Sequence, residues 1–585
     1  MLRLARLGIS LLALASVCAV GPACDRPREG AVPAPNEATR ALHALFAREW
    51  ENDLRESPTF ASSIGDRRFD GLWDDVSLAA VARRELHERA VLEELGRIPR
   101  AELSAADALS YDLFHYKYAM SVEGQRFELH LLPLNQRGGI QTADELADEL
   151  PFETPKHFAD WNDRLRRFPA YMKQTIELLA EGARKGITHP RSILQRVVAQ
   201  IDAQIVDDPT KSPFFAPYQK KPNAPEAARK EAERLIASSV VPAFRELRTF
   251  FVERYLPACR ETIAAEALPD GKARYAYLVR YHTTTNTTPE AVHAVGLREV
   301  ARIRGEMEAA KERAGFKGTQ KELFAFLRSD PRFFYKDGAE LIEAYRALGK
   351  RIDPELVKVF RKLPQTPWGV LPIPDAVAPD TTTAYYREPA ADGTRAGTFF
   401  VNPYKPETRP KWEMPALALH EAVPGHHLQI ALALEEKGIP EFRRHCECQA
   451  FVEGWALYAE SLGEEMGIYT DPWTKIGQLT YEMWRAVRLV VDTGMHHLGR
   501  DRQRAIDFFL ENAPRAELDV VNEVDRYIVW PGQALAYKTG ELRIKELRKK
   551  KVGPDFDLRA FHDAVLRQGP MPLDLLEREV LAARR

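Results

Sequence analysis

Apolar residues recur at steps of three and four along most of this chain, which is the spacing of helices that bury one face. The segments ALHALFAREW and ELHERAVLEELGRI show this spacing clearly. The same pattern extends over four stretches: Glu37 to about Leu150, 155–205, 226–265, and the region that follows Glu460. The pattern predicts a mainly α protein.

One stretch in the first third of the chain departs from helical spacing. Residues 127–134 alternate apolar and polar side chains, which predicts a strand. They run into Gly138-Gly139, which is a turn signal. The close backbone of such a turn could approach a substrate or simply reverse the chain, and we favour the reversal.

A second departure lies two-thirds of the way along the chain. Ala384–Arg387 and Gly397–Asn402 have strand composition, and Asp392-Gly393 between them is a strong hairpin signal. A strand at this position could present an unpaired edge to an extended peptide and bind it through main-chain hydrogen bonds. The plainer interpretation is a hairpin that covers a helical core.

Composition points to one large globular body. Of 585 residues, 45% are apolar and 29% are charged, and the formal net charge of −2 leaves no basic surface for nucleic acid or anionic lipid. No low-complexity linker or internal repeat is visible after residue 40. We therefore expect residues 41–585 to form a single unit, a large helical two-lobed body around a cleft. A small β-sheet or hairpin should lie beside the metal-binding helix described below.

The N-terminus has the features of an export signal. Two arginines precede an apolar run that ends in a small residue and Cys24, and the run is too short for a membrane span. Residues 1–24 therefore predict a lipoprotein-type signal peptide with Cys24 as the lipidation site, and plain secretion with cleavage at Ala23 is the alternative. Residues 25–40, with several prolines and charges, predict a flexible tether. We expect an exported, lipid-anchored protein of the cell envelope that faces the periplasm or the exterior.

The segment HEAVPGHHLQ carries the strongest chemical signal. His420 is followed at once by Glu421, and two more histidines come six and seven residues after the first. Two imidazoles with an adjacent carboxylate are the groups with which a hydrolytic zinc site binds its metal and activates water. In the HExxH motif of such sites the histidines are four residues apart, so the spacing here differs.

Pro424 and Gly425 offer a way to reconcile this spacing. On a regular helix His426 would face away from His420, whereas His427 would share its face about 10 Å further along the axis. Pro424 cannot complete the helical hydrogen bond and Gly425 is free in its backbone angles, so the pair can loop out and bring His426 beside His420. We take His426 as the second ligand and place His427 next to the ligand set, while His427 stays open as the alternative ligand. A buried structural histidine beside a turn is the competing interpretation.

A second segment, FVEGWALYAE, has helical spacing and two carboxylates, Glu453 and Glu460, seven residues apart on nearly one face. Burying two unpaired carboxylates is costly, so a cation would be a natural partner. Glu453 lies 27 residues after His426, which is enough for one helix to end and a second to return. Taken alone, the segment is better explained as an amphipathic helix with solvated glutamates.

Together with RYIVWPGQALAYKTGELRI near the C-terminus, these segments resemble the bacterial family of predicted lipoproteins labelled domain of unknown function 885, from about residue 40 onwards. The second segment is also similar to gluzincin-type, thimet oligopeptidase-like zinc peptidases, in which an FVE segment supplies the third ligand. The resemblance implies that His420, His426 and Glu453 bind Zn²⁺. It also implies that Glu421 is the general base and that Glu460 orients a ligand histidine. The two extra residues between the histidines depart from the peptidase pattern.

Further polar residues towards the C-terminus are candidates for contacts with the substrate. Zinc peptidases stabilise the oxyanion with a donor and hold a substrate carboxylate with a cation. The resemblance favours Tyr537 as the donor and Arg526 or Lys538 as the cation, with Tyr527 as a further substrate contact. His496 has a carboxylate four residues before it on the same helix face, so it could be an oriented oxyanion donor or a packing residue, and we place it in the catalytic set.

These features predict zinc-dependent hydrolysis of peptide bonds in peptides of the bacterial cell envelope, with manganese or cobalt as substitutes for zinc. The motifs do not distinguish cleavage at either end of a peptide from internal cleavage. Two alternatives stay open: a metal-dependent hydrolase of a non-peptide amide, and a non-catalytic, lipid-anchored binding protein whose two-residue insertion disables the metal site. The expected partners are a peptide substrate and, through the lipid anchor, a membrane, but not nucleic acid.

Overall fold

The computed structural model describes residues 36–374, 378, 382–389, 395–446 and 448–583. Of the described residues, 69% are helical and 3% are in strands, so the mainly α prediction is confirmed. The predicted signal peptide with Cys24 and most of the predicted tether lie outside the described residues. The first helix begins at Glu37 with Asn36 as its N-cap, inside the range that we assigned to the tether. Among the described residues, no helix is both long enough and apolar enough to span a membrane.

The N-terminal region is helical, as its periodicity predicts. A single π-helical turn follows the helix Glu226–Leu235 and another follows the helix Val241–Phe250, so that Glu226–Ala258 forms one continuous helix. The α-helices here are α1 (Glu37–Glu56), α2 (Pro58–Ser63), α3 (Leu78–Gly96), α4 (Ala105–Gln125), α5 (Pro155–Lys185), α6 (Arg191–Leu194), α7 (Val197–Ala203), α8 (Ala216–Lys220), α9 (Glu226–Leu235), α10 (Val241–Phe250) and α11 (Leu256–Ala258).

The remainder of the chain places a small sheet between two groups of helices. The elements before the end of the sheet are α12 (Gly271–Thr283), α13 (Pro289–Arg313), α14 (Gln320–Ser329), α15 (Gly338–Ile352), β1 (Trp368–Pro372), β2 (Ala384–Arg387) and β3 (Gly397–Val401). The helices after it are α16 (Met414–Glu421), α17 (His426–Glu435), α18 (Glu441–Arg444), α19 (Gln449–Ser461), α20 (Pro472–His496), α21 (Arg502–Asn512), α22 (Glu517–Val529), α23 (Ala536–Lys551), α24 (Leu558–Leu566) and α25 (Leu573–Ala582).

The sheet has the strand order β1-β3-β2, with β1 parallel and β2 antiparallel to the central β3. β2 and β3 are the two strands of the predicted hairpin, whose Asp392-Gly393 turn lies outside the described residues. β1 was not predicted, because its sequence WGVLP contains glycine and proline, which are rare in strands. β2 is an edge strand and packs against α16, so its outer edge lies beside the helix that carries His420.

Helix α20 is the central helix of the C-terminal region and is buried along nearly its whole length from Ile476. It packs on α13 and shares one apolar cluster with α14, α21 and α22. A second cluster combines α1, α4, α15 and the sheet with α16, α17, α19 and the last three helices. A third belongs to α5, α7, α9 and α10. Because α16, α19 and α23 all contact α20, the candidate residues on these helices lie where the first two clusters meet.

Helices α19 and α23 run side by side in the same direction and in close contact. Gly540 of α23 meets the turn of α19 between Ala450 and Gly454, and further along Arg548 donates a hydrogen bond to the Tyr458 hydroxyl. A Cβ atom on Gly540 would lie 1.8 Å from the carbonyl oxygen of Ala450. The approach of the two backbones therefore requires glycine here.

The predicted strand at residues 127–134 is wrong. The segment contains a 3₁₀ turn, Leu129–Leu131, instead of a strand. Its buried residues Phe127, Leu131 and Leu134 pack into three different apolar clusters. Alternation would place Phe127 and Leu131 on one face of a sheet, but all three side chains have different groups of helices to pack against, so the backbone turns between them.

We expect Gly540→Ala to destabilise the protein by about 1–3 kcal/mol, because the new methyl group forces α19 and α23 apart. Thermal unfolding of the metal-free protein, followed by circular dichroism, should show a lower Tm. Gly96→Ala is the matched control, since Gly96 ends α3 and a Cβ atom there meets no atom within 4 Å. Equal Tm values for the two variants would contradict the close helix contact.

Candidate metal centre

Three side chains from two segments of the chain converge at one point. His420, His426 and Glu453 each offer a ligand atom, and these atoms lie within 4.8 Å of one another. The Nε2 atoms of both histidines are 3.6 Å from Glu453 Oε2, and the two imidazole rings are nearly perpendicular with centroids 4.9 Å apart. Within the described part of the chain, this is the only group of three or more His, Cys, Asp or Glu side chains placed to hold a metal ion.

The backbone reaches this arrangement by interrupting the helix between the histidines. α16 ends at Glu421 and α17 begins at His426, and the His427 N–H donates to the Ala422 carbonyl at 3.0 Å to close the loop between them. Gly425 packs directly on the first helix, since a Cβ atom there would lie 1.9 Å from the His420 carbonyl oxygen. The Trp455 indole donates to the Pro424 carbonyl at 2.8 Å and fastens the loop to α19. The two extra residues are thus looped out, and His426 comes beside His420.

The structure separates the roles of the two adjacent histidines. His427 is fully buried, its Nε2 donates to the Thr366 carbonyl at 3.1 Å, and its Nδ1 accepts from the Tyr386 hydroxyl at 2.8 Å. Burial lowers the pKa of His427 to about 4, so it is neutral. Both ring nitrogens are therefore occupied, one by β2 and the other by the segment that leads into β1. His427, which we expected around the ligand set, is not brought into contact with it.

Glu453 provides the test of whether these residues fit a metal ion. Its Oε2 atom is buried and has no hydrogen-bond partner. Burial opposes ionisation, but the His420 imidazole, 3.6 Å away, and the nearby charges of His426 and Arg526 hold the pKa of Glu453 at about 2. A buried, ionised oxygen without a donor is unfavourable unless a cation accompanies it. The donor set of two imidazoles and one carboxylate suits Zn²⁺.

Glu460 holds the first imidazole in place. Its Oε1 atom lies 2.8 Å from His420 Nδ1, which directs His420 Nε2 towards Glu453. Arg485 stands behind this carboxylate with Nη2 at 3.8 Å. Burial alone would lower the pKa of His420, but the ionised Glu453 carboxylate at 3.6 Å and the hydrogen bond with Glu460 outweigh it and raise this pKa to about 9. Carboxylate support of a ligand histidine is a common feature of zinc sites.

Glu421 lies next to this group at the end of α16. Burial raises the pKa of its carboxyl group to about 7, and the charge of Glu453 acts in the same direction while the charge of His420 opposes it. A hydrogen bond with the backbone of Tyr386 also favours the ionised form. The carboxyl group is therefore placed between the ligand helix and edge strand β2, with a pKa close to neutrality.

Tyr537 and Arg526 adjoin the centre from α23 and α22. The Arg526 Nη2 atom donates to the Tyr537 hydroxyl at 3.1 Å, and the charge of Arg526 reaches Glu453. Two arginines of α20 flank the Tyr537 ring, with the Cζ of Arg488 4.3 Å and that of Arg485 5.9 Å from its centroid. A continuous chain of contacts therefore links the ligand His420 to Tyr537 through Glu460 and Arg485.

The structure does not bring the other predicted residues to the centre. Lys538 is fully buried in ion pairs with Glu482 at 2.7 Å and Glu299 at 3.1 Å, so its charge is already neutralised. The reason is that Lys538 follows Tyr537 on a helix and therefore points in a different direction.

His496 and Tyr527 are also engaged elsewhere. His496 Nδ1 accepts from the Ala265 backbone N–H and its Nε2 donates to the Tyr527 carbonyl, so neither nitrogen is left for a substrate. The carboxylate that we expected to orient His496, Asp492, instead accepts from the Tyr275 hydroxyl at 2.6 Å. The Tyr527 hydroxyl donates to Glu523, and its side chain is fully buried.

Sequence reasoning missed the residues that support the centre from a distance. Arg485 and Arg488 lie three residues apart in an apolar stretch of α20. Two arginines in such a stretch indicate buried cations that need anionic or aromatic partners, and this was the signal that the sequence offered. Tyr386 was assigned only to a predicted strand. Its contact with Glu421 depends on how β2 docks on α16, which no local pattern reports.

Comparisons with known proteins agree with the sequence resemblance at the level of family. Residues 58–580 match the bacterial protein family of unknown function DUF885. The "putative lipoprotein from Colwellia psychrerythraea" is similar in structure, with TM-score 0.89 and 27% identity over 93% of this chain and 99% of that one. A "putative lipoprotein of unknown function from Shewanella oneidensis" shares the fold at TM-score 0.67 and 16% identity, over 92% and 99% of the two chains. No curated protein matches the chain.

We expect the purified protein, produced from residue 25 onwards, to hold about one Zn²⁺ per chain. His420→Ala, His426→Ala and Glu453→Ala should each lose the metal, because three protein ligands are the minimum of a hydrolytic zinc site. Inductively coupled plasma mass spectrometry after metal-replete purification measures this directly. His427→Ala is the control and should keep its zinc, with Tm measured for all variants; loss of zinc from a folded His427→Ala would reassign the second ligand.

Zinc affinity should rise about tenfold per pH unit between pH 6 and 8, because binding must displace one proton. The displaced proton is that of His420, whose pKa of about 9 keeps it protonated below that pH, whereas His426 (about 4) and Glu453 (about 2) are already deprotonated. Titration calorimetry at pH 7 in buffers of different ionisation enthalpy should report about one proton released per zinc. A proton count of zero would show that His420 is neutral in the metal-free protein.

Proposed function

This chain belongs to the DUF885 family of bacterial proteins of unknown function, and we propose that it is a zinc-dependent peptidase. Support comes from one observation above all: two imidazoles and a carboxylate converge within 4.8 Å, next to a further carboxylate with a pKa of about 7. Perturbed carboxyl groups beside a metal-binding set are typical of hydrolytic centres. The resemblance of FVEGWALYAE to the third-ligand segment of gluzincins points to the same chemistry.

His420, His426 and Glu453 are the residues that would hold the ion. Imidazole ligands favour zinc over magnesium or calcium, which prefer all-oxygen sites, while manganese and cobalt are acceptable substitutes. A bound Zn²⁺ supplies Lewis acidity and lowers the pKa of water towards about 7.

Glu421 is the proton carrier. With a pKa of about 7, its carboxyl group is able both to accept and to release a proton near neutral pH. It takes a proton from the attacking water and delivers it to the leaving amine. The hydrogen bond with the Tyr386 backbone keeps this carboxylate at the edge of β2, where the scissile bond would lie.

Tyr537 is the donor for the developing oxyanion. Because Arg526 donates to the Tyr537 oxygen, the phenolic proton stays available for a second acceptor. A preorganised donor of this kind contributes most when water is excluded, and Tyr537 is only 7% exposed. Arg526, rather than the buried Lys538, is the cation on the substrate side.

Strand β2 would align the substrate. It is an edge strand in contact with α16, the helix of His420, so an extended peptide that added to its unpaired edge through main-chain hydrogen bonds would lie near the metal centre. Main-chain recognition of this kind binds peptides with little dependence on their side chains. A non-peptide amide would lack most of these contacts, which favours a peptide as the substrate.

The non-catalytic alternative depends on the two-residue insertion disabling the metal site. The Pro424-Gly425 loop absorbs the insertion and leaves His420 and His426 with ring centroids 4.9 Å apart. This geometry favours the hydrolase over a binding protein that has lost its metal.

We also propose that the peptidase works in the cell envelope, tethered by a lipid on Cys24. The charged and apolar leader that ends at Cys24 supports this location, as do structural neighbours described as lipoproteins. The envelope location makes peptides outside the cytoplasm the expected substrates.

Glu421→Gln should reduce peptide hydrolysis by at least about 100-fold, since it removes the proton carrier, while the zinc content stays at the wild-type level. A fluorogenic library of short peptides measures the rate, and mass spectrometry measures the metal. Glu441→Gln is the matched control, because Glu441 is an exposed carboxylate of α18 paired only with Arg444. Hydrolysis at the wild-type rate by a zinc-loaded Glu421→Gln variant would contradict the mechanism. A zinc-loaded wild type that cleaves no peptide would leave the binding protein as the surviving hypothesis.

A further inference from the structure

Next to the metal centre, arginines outnumber the carboxylates available to pair with them. Arg488 and Arg526 are ion-paired with the same carboxylate, Glu523, at 3.0 Å and 3.5 Å. Asp525, which directly precedes Arg526 on α22, is already paired with Arg196 at 3.0 Å and with Arg502 at 2.6 Å. This side of the centre therefore carries an excess of positive charge.

Among these arginines, Arg526 is the one that adjoins the metal centre. Its Nη2 atom donates to the Gln533 side chain at 2.7 Å and to the Tyr537 hydroxyl at 3.1 Å. Its Nε atom is buried and has no hydrogen-bond partner. A buried donor without an acceptor is unfavourable, so an acceptor group is expected to approach it when the site is filled.

Arg137 is a second, solvent-exposed guanidinium on this side of the centre. Within the described part of the chain, its guanidinium makes no hydrogen bond and no ion pair. Its partial burial lowers the pKa of Arg137, and the positive charge of nearby Arg526 lowers it further, against the opposing effect of Glu523 and Tyr537. Two guanidinium groups thus stand near each other with too few anions between them.

The loop that carries Arg137 is held firmly. Asn135 and Gly138 form an isolated β-bridge, and the Arg137 N–H donates to the Asn135 side chain at 2.8 Å. The Gln136 side chain donates to the Asp525 carbonyl at 3.1 Å, next to Arg526, and the Gln136 backbone carbonyl accepts from the Gln200 side chain at 3.0 Å. The turn that the sequence suggested only as a chain reversal therefore docks on α22 next to Arg526 and carries Arg137 to this side of the centre.

From this juxtaposition we propose that Arg137 and Arg526 form a subsite for a carboxylate that the substrate carries close to its scissile bond. The fork of donors on a guanidinium matches the two oxygens of a carboxylate, and two arginines are suited to a planar anion. The carboxylate is either the C-terminus of a short peptide or an acidic side chain. The inference rests on the proposed peptidase function and makes the protein selective for acidic or C-terminally free substrates.

The first experiment compares three otherwise identical short peptides: one with a free C-terminal acid, one with a C-terminal amide, and one with a C-terminal amide and an aspartate next to the scissile bond. Wild-type kcat/KM should be higher for at least one carboxylate-bearing peptide than for the plain amide. Arg137→Gln should lower kcat/KM for that peptide by about 10–100-fold, chiefly through KM, and leave the plain amide unchanged. Arg137→Lys should restore only part of the loss, because the ammonium group lacks the planar fork.

Arg97→Gln is the control for a general loss of positive charge, since Arg97 is exposed and paired only with Glu93. It should change none of the three rates. The peptide with the free C-terminal acid and the peptide with the aspartate show whether the subsite binds a C-terminal or a side-chain carboxylate. Equal kcat/KM for all three peptides in the wild type, or equal losses in Arg137→Gln and Arg97→Gln, would overturn the subsite.

The second experiment does not need catalysis. An N-acetyl amino acid and its amide are titrated calorimetrically into the metal-free protein, with inorganic phosphate as a third probe. The acid should bind more tightly than the amide, and Arg137→Gln should abolish the difference. If this result is obtained but the protein cleaves no peptide, the anion subsite stands and the proposed peptidase function fails. Tighter binding of phosphate than of the acid would overturn the assignment to a carboxylate.

Discussion

Two imidazoles six residues apart must face one point, and a regular helix does not allow it. Pro424 and Gly425 meet this constraint by ending α16 and letting α17 begin at His426, with the His420 carbonyl so close to Gly425 that no side chain would fit. The Trp455 indole then ties the loop to α19, the same helix that carries Glu453. The geometry of the centre therefore depends on a local break in a helix and on a tertiary contact that holds the break.

Around this point, charge is arranged in layers. Glu453 is ionised because His420, His426 and Arg526 surround it, His420 is held by Glu460, and Arg485 stands behind Glu460. Such buried charges are tolerable only as a fully connected set, because each one would be costly alone. Among the buried atoms left without a hydrogen-bond partner are Glu453 Oε2 on the metal side and Arg526 Nε on the arginine-rich side, and a cation and an anionic ligand would complete the set there.

The sequence predictions succeeded and failed for identifiable reasons. Spacing and composition identified most helices and the paired strands β2 and β3, because each depends on chemistry within a few positions of the chain, whereas the candidate metal ligands were named with the help of the resemblance to zinc peptidases. Residues 127–134 were predicted as a strand because alternation was counted without knowing that their side chains pack in different clusters. Lys538 and His496 were placed in the site because their chemistry suited it, yet the packing of α20 and α23 gives both of them buried partners elsewhere.

The sequence by itself determined the helical class, the membership that its three motifs indicate, and the candidate ligands His420 and His426, since these follow from periodicity, residue type and local backbone chemistry. Glu453 became a candidate ligand through the resemblance to zinc peptidases. Only the tertiary structure decided that His426 and not His427 faces Glu453, because that choice depends on which partners bury His427, namely Tyr386 and Thr366. It also decided that the loop of Arg137, nearly four hundred residues from Arg526 in the chain, docks next to it. Contacts between distant segments arise from packing of whole elements, and no local pattern in a sequence records them.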